Sequence, residues 1–335
     1  MSRRVLLPSA SAAALAAAIA ASPAAAQVPA PPPVPAPPTP APPAASGKAT
    51  LEVHGGMATR RMRYFERGQR IKVAGTVRPF VPGQTVTLHV IRRGKTSKRY
   101  QAPVRRRGNR GRYAVRFTVR RRGRLRLVVK HAATPQQQAF RSGDKRIEVV
   151  LWRAASGNRG LRVLLMQRRL QKLGYSTSLS GVFDSHTAYA VLAFRKVNLM
   201  GESSYASRAV FSRLFRNRGA FRLRHRSPAR HVEFDWSRQV LVIVRNGRPW
   251  RTHHASSGKP STPTVFGTFR FYRKQPGTNS HGMVHSNYFI GGYAIHGYPS
   301  VPLYPASHGC IRVPIPQAAG IDRAIDLGDV IYVYR

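Results

Sequence analysis

Ala294-Ile295-His296-Gly297, and then Ser307-His308-Gly309-Cys310-Ile311-Arg312-Val313, is the stretch on which the reading of this chain turns. Cys310 is the single cysteine in 335 residues, so a disulfide scaffold is excluded. A thiol attacks well only as thiolate: its pKa of about 8.5 has to fall, or a base has to take the proton during attack. Histidine is the side chain best poised for that near neutral pH, and His296 and His308 both stand in range. His308 shares a face with Cys310 if the segment is a strand. His296 reaches Cys310 if Ile295 ends one strand and Cys310 opens the next. Gly297 then sets a bare carbonyl beside the imidazole, able to accept the Nδ1 proton and fix the tautomer. Gly309 allows a tight turn that exposes amide N–H groups where an oxyanion would form.

Around these residues the chain reads as strands. Val232, Phe234 and Trp236 alternate, Gln239 to Val244 is an apolar run before the turn Asn246-Gly247, and Val330, Tyr332 and Tyr334 close the chain. A compact, mostly-β domain over 231–335 is expected. The constellation resembles the catalytic domain of the L,D-transpeptidases, cysteine enzymes that cross-link peptidoglycan. Ser257-Gly258-Lys259, Thr262-Pro263-Thr264 leading into Gly267-Thr268-Phe269, and Tyr288-Phe289 support the resemblance. It implies Cys310 as nucleophile, His296 as general base and acid, and the Gly297 carbonyl as the group that orients the imidazole. His308 and Gly309 shape the turn, with the amides near Gly309 and Cys310 as oxyanion donors. Arg312, where many members carry Arg or Asn, offers a fork of donors to a substrate carboxylate; Ser307, His308 and Tyr288 join it in binding substrate. No metal or cofactor is implied.

Three other readings of these residues compete with it. A lone cysteine is often an inert buried hydrophobe, but one set between Gly309 and Ile311, two residues after a histidine, is not ordinary core. His281 and His285, with His253-His254, have metal-ligand spacing, yet no HExxH motif or acidic partner accompanies them. Ser307 beside His308 lacks the glycine elbow of a serine nucleophile.

Upstream, the periodicity changes. Over 157–217, Leu161, Leu164, Leu165, Leu170 and Leu173 fall on one helical face closed by Gly174. Asp184 caps a second helix carrying Thr187, Ala190, Val191 and Phe194, and a third spans Ser207 to Arg216. The segment resembles the three-helix peptidoglycan-binding domain, on Leu165-Gln167-Leu170-Leu173-Gly174-Tyr175, Ser180-Gly181-Val182-Phe183-Asp184 and Thr187-Ala190-Val191-Phe194. Arg195 stands where that family commonly has Gln. A plain helical bundle is the alternative.

Residues 47–150 alternate with the period of half-buried strands, as in Tyr113-Ala114-Val115-Arg116-Phe117-Thr118-Val119, with breaks such as Arg78-Pro79 and Pro82-Gly83. An antiparallel, immunoglobulin-like β-sandwich is expected there, without catalytic residues. Residues 27–46 hold ten prolines and read as a polyproline II spacer, or as a proline-rich ligand. Residues 1–26, with Arg3-Arg4, a small-apolar run and Ala24-Ala25-Ala26, read as a secretory signal that also resembles the twin-arginine type; an uncleaved anchor is the alternative. No later stretch has the length of a spanning helix.

The formal charge is +46. Residues 47–150 carry 28 basic and 4 acidic side chains, residues 151–230 carry 16 and 2, and residues 231–335 carry 11 and 5. The excess therefore sits in front of the catalytic-like domain and predicts an anionic partner for residues 47–230. Nucleic acid is set aside, because the chain reads as exported and shows no zinc-finger or RNP pattern; anionic wall polymers fit better, and a merely solvated basic surface is the bland alternative. The combined expectation is an exported multi-domain L,D-transpeptidase that acts on stem peptides through a Cys310 thioester and forms 3→3 cross-links. An L,D-carboxypeptidase with water as acceptor, or a non-catalytic wall-binding protein, are the rivals.

Overall fold

Alternation of apolar and cationic residues builds the front of the structure, a computed structural model that describes residues 43–335. The expected signal and most of the spacer lie outside the described residues. The last of the spacer is inside: the Ala45 N–H donates to the Gln136 carbonyl at 3.1 Å, pinning it to the sandwich. Arg110–Thr118 shows how the alternation works, since its arginines at 110, 112 and 116 point out while Tyr113, Val115 and Phe117 are buried. One sheet runs Lys48–Ala49, Arg70–Arg78, Arg110–Thr118, Arg105–Arg107, with Glu52–His54 also on Arg70–Arg78. The other runs Met57–Ala58, Arg63–Glu66, Lys145–Val150, Gly123–His131, Thr85–Arg92, Lys95–Pro103, with Phe140–Arg141 on Gly123–His131. Val73, Val115, Leu88, Leu127 and Ile147 meet in a shared core. The pairing departs from an all-antiparallel sandwich at one place: Arg63–Glu66 and Lys145–Val150 are parallel.

Three helices follow: α1 (Leu161–Lys172), α2 (Ser185–Val197) and α3 (Arg208–Phe215). Asp184 caps α2 by accepting from the Thr187 N–H, and Ser207 caps α3 through Val210. Gly174 follows α1 in the left-handed conformation at φ 87°. Leu161, expected on the buried face of α1, is exposed, because it opens the helix before the first turn reaches the bundle. Gln167 is fully buried and ties α1 to the next loop, accepting from the Gly181 N–H and donating to the Val182 carbonyl. Arg195 spends its guanidinium on the carbonyls of Met200, Gly201 and Tyr205.

The C-terminal part, 231–335, has two sheets. One runs Arg248–His254, Val240–Arg245, His231–Asp235, Val330–Tyr334, Gly267–Arg270; the other runs Arg273–Thr278, Val284–Ile290, Tyr293–Tyr298, Ile311–Pro314. Phe234, Leu241, Ile295, Ile311 and Ile331 belong to the core between them. A helix that the sequence reading did not contain, α4 (Ile315–Asp322), follows the last strand of the second sheet and carries Pro316 in its first turn.

These parts form one compact unit over residues 43–335. Arg216 pairs with Glu66 at 3.1 Å, and Arg169 donates to the Gly56 carbonyl, joining bundle to sandwich. The Thr252 N–H donates to the Gly174 carbonyl at 2.7 Å, joining bundle to the five-stranded C-terminal sheet. Phe221 lies with Val240, Val242 and Val244 on the outer face of that same sheet.

Candidate active site

His296 stands on the strand Tyr293–Tyr298, which pairs in parallel with Ile311–Pro314; Ile295 faces Ile311 and His296 faces Arg312. Cys310 immediately precedes the second strand. The two strands therefore bring the Cys310 backbone alongside the His296 strand, offset by two residues, which strand spacing converts to roughly 8 Å between Cα positions. The strand runs three residues past Ile295, so His296 and Gly297 belong to the sheet and not to a loop.

His296 Nδ1 lies 3.0 Å from the Gly297 carbonyl. That oxygen can only accept, so the neutral ring carries its proton on Nδ1 and leaves Nε2 as the base. Burial pulls the imidazole down to about 4; the Gly297 hydrogen bond works against this and the Arg312 charge adds to it. Burial likewise pushes the Cys310 thiol up, opposed by a hydrogen bond from the Ala294 N–H and by Arg312. Both groups rest neutral near pH 7. A standing thiolate is thus not what the surroundings favour. The thiol itself points its proton to the Gly292 carbonyl at 3.6 Å.

Gly297 has a second role that its carbonyl alone did not reveal. A Cβ there would sit 2.7 Å from Ala318 Cβ, so only glycine lets α4 press against the His296 strand. Gly309 turns at φ +117°, and a Cβ would lie 2.5 Å from a ring carbon of Tyr293.

Ser307 is 1% exposed, which corrects its expected place among substrate-binding groups. Its hydroxyl accepts from the Gly309 N–H at 3.1 Å and donates to the Cys310 carbonyl at 2.5 Å, bracing the turn from inside. The same bond occupies the Gly309 N–H, which narrows the expected pair of oxyanion donors to the Cys310 N–H. His308 is exposed, with its ring 3.4 Å from Lys259 Nζ. The Tyr288 hydroxyl donates to Gln275 at 2.9 Å, and Arg273 lies over the Tyr288 ring. Arg312 stacks over Tyr298 at 4.1 Å.

The residues noted around 257–264 form a clamp on the cysteine turn. Ser307 N–H donates to the Ser257 carbonyl and Lys259 N–H to the Ser307 carbonyl, both at 2.9 Å. Thr264 Oγ1 accepts from the Gly258 N–H and donates to the Gly309 carbonyl. Sequence reasoning singled out these residues as motif without a job; the polar short side chains next to glycine were the available signal.

Among the described residues no group of three or more His, Cys, Asp and Glu side chains could hold a metal. His253 is buried against Gln317, His254 against the Val301 carbonyl, and His285 lies 3.9 Å from Asp322. No helix among the described residues is long and apolar enough to cross a membrane.

Comparison with known proteins places residues 229–333 on the YkuD family model, the L,D-transpeptidase catalytic domain. L,D-transpeptidase 1 of Mycobacterium tuberculosis is 31% identical over 118 residues, covering 29% of this chain. The chain spans 47%, about half, of that relative's length. The crystal structure of the L,D-transpeptidase (residues 123–326) from Xylanimonas cellulosilytica is 31% identical, covering 54% of this chain and 97% of that one, with a TM-score of 0.49. The NMR structure of the catalytic domain from an E. faecium L,D-transpeptidase is 23% identical, covering 33% of this chain and all of that one, with a TM-score of 0.30.

Proposed function

Through residues 229–333 this chain belongs to the L,D-transpeptidase catalytic-domain family, and from that premise we propose that it is an exported enzyme that cross-links peptidoglycan through Cys310. The observation that carries the reading is the parallel pairing that sets the Cys310 turn beside a buried His296 whose Nδ1 is tied to Gly297. Cys310 rotates from Gly292 towards the imidazole, gives its proton to His296 Nε2 and attacks the carbonyl of the third stem-peptide residue. The Cys310 N–H, with Gly309 committed to Ser307, faces the oxyanion. The imidazolium returns the proton to the amine of the departing D-alanine, leaving a thioester. A side-chain amine of a neighbouring stem then displaces the sulfur, giving the 3→3 link and restoring the thiol. Arg312, free of ion pairs among the described residues, suits the carboxylate of the donor stem.

The test is mass spectrometry of purified muropeptides after incubation with the enzyme. Cross-linked dimer with the native protein and none with Cys310→Ala is expected. Dimer from both refutes the nucleophile; free tripeptide without dimer assigns the chain to the L,D-carboxypeptidases; no product at all favours a wall-binding role.

We also propose that the front sandwich binds an anionic polymer of the cell wall. Its five-stranded sheet sets Lys72 directly opposite Arg116, and Arg105 opposite Arg112. Like charges so placed repel, none of the four is ion-paired among the described residues, and with Arg106 and Arg107 they line a trough of about 880 Å³. Co-sedimentation with sacculi in rising salt tests this. Neutralising Arg105, Arg107, Arg112 and Arg116 should weaken binding more than neutralising Lys95, Lys98, Arg99 and Arg124 on the other sheet; equal losses would reduce the effect to net charge. Attachment through residues 157–217 is part of the same proposal, by a surface other than Arg195, whose guanidinium is already used.

A further inference from the structure

Lys196 stands one residue before the end of α2 and is only 4% exposed. Its ammonium leaves the helical bundle and donates to the Leu303 carbonyl at 3.1 Å. Leu303 lies in the segment 299–306 that joins the His296 strand to the Cys310 turn. A charge buried at the end of a bundle helix is unfavourable unless it is hydrogen-bonded; the bundle offers it the opposite charge of Glu202, while its hydrogen bond goes outside the bundle, to Leu303. Its partner explains its presence.

The same segment is held at two further carbonyls. His254 Nε2 lies 2.9 Å from the Val301 carbonyl, and Ser256 Oγ donates to the Tyr304 carbonyl at 2.7 Å. Tyr189 of α2 stacks on His254, with ring centroids 6.5 Å apart and planes within 20°. Burial, with the neighbouring Lys196 charge second, pulls His254 down to about 4, so its Nε2 proton is the neutral ring's and serves Val301. Three backbone oxygens over four residues are thus fixed, one of them directly by the bundle. Two residues further on begins the turn itself, held by Ser257 and Thr264.

We propose that Lys196 is a positioning residue for the cysteine turn: α2 reaches into the neighbouring module and fixes the 299–306 segment, so that Cys310 is presented to His296. The helical bundle is then a part of the catalytic unit as well as an attachment device. This rests on the reading of Cys310 as nucleophile.

The experiment uses the full chain and compares wild type with Lys196→Met, Lys196→Gln and Lys196→Arg. Intact-protein mass gives the rate of Cys310 acylation by a carbapenem, iodoacetamide gives the rate of simple alkylation, and a melting curve reports folding. Lys196→Met is expected to melt no lower than wild type and to be alkylated within twofold of it, yet to be acylated at least tenfold more slowly. Lys196→Arg and Lys196→Gln, which keep a donor, should recover most of that rate. Acylation of Lys196→Met at the wild-type rate overturns the inference, as does a loss of rate that only follows a fall in melting temperature. A wild-type protein that is not acylated at all overturns the Cys310 reading first, and this one with it.

Discussion

Replacing Lys196 by methionine should stabilise the protein at neutral pH, by an amount that fades as the solution becomes alkaline. Burial lowers the ammonium from its ordinary 10.5 to about 8, with Glu202 second and pulling the other way. At about 1.36 kcal/mol per pH unit this is a penalty of roughly 3 kcal/mol on the charged form, and at 4% exposure solvent screens little of it. The folded-state pKa is the depressed one. Below pH 8 both states are charged and the penalty is complete. Between 8 and 10.5 the unfolded chain holds the proton more than the folded one does, so wild-type stability climbs; above 10.5 the penalty is gone. Methionine escapes it throughout and gives up a hydrogen bond worth about 1 kcal/mol, while Leu303, as a residue 38% exposed, leaves water a way to its carbonyl. The variant should therefore be about 2 kcal/mol more stable than wild type at pH 7 and about 1 kcal/mol less stable near pH 10.5. His254, neutral across that window, adds no slope of its own. Urea unfolding followed by the fluorescence of the three tryptophans, Trp152, Trp236 and Trp250, at half-unit steps from about pH 7 to 10 measures the difference. A variant less stable at pH 7, or a difference that stays flat with pH, would refute the burial argument.

Substituting His296 with glutamine should slow Cys310 acylation by about 10²–10⁴-fold, and the wild-type rate should hold down to about pH 5 and fall as the imidazole protonates through about 4; a half-rate point near 6.5 in single-turnover kinetics would contradict the shift. His253, His254 and His296 are all lowered to about 4 by burial, so the unfolded chain takes up their protons first and stability is lost as pH falls from about 6.5 towards 4. Urea titrations across that range should show a slope approaching three protons, reduced by about one in His253→Gln. Gly309→Ala forces an L side chain to φ +117° against the Tyr293 ring; a loss of about 1–3 kcal/mol together with slower acylation is expected, and an unaltered melting curve with wild-type rates would count against the turn's tight geometry.

Much of the site was legible because its chemistry depends on residue type at short range. A histidine followed by glycine and a cysteine after glycine offer a carbonyl beside the ring and a residue free to turn, and here the first contact forms at 3.0 Å and the second residue turns at φ +117°. What sequence could not show is which partner each polar group chooses. Ser307 reads in sequence as a substrate-binding group, whereas in the closed turn its hydroxyl bonds the Gly309 N–H and the Cys310 carbonyl. The helix α4 is masked in the sequence because Ile315-Pro316-Gln317-Ala318-Ala319-Gly320 contains two breakers; Pro316 is harmless in a first turn, and Gly320 is tolerated by a helix held through packing. The parallel pairing of Arg63–Glu66 with Lys145–Val150 was equally hidden, since alternation reports a face and not a direction. Nothing in the local sequence sets Lys196 apart from the other cations of the chain, because its carbonyl partner lies more than a hundred positions away.

Phe221 seated on Val240, Val242 and Val244 has a practical meaning for anyone cutting this protein down. The family match begins at residue 229, yet a fragment starting there would leave three valines of one sheet face bare to water, with the bundle's backbone bond to Thr252 gone as well. Such a piece invites aggregation, and a poor yield from it would say nothing about the enzyme. Where the family match begins and where the folded unit begins are different places along this chain.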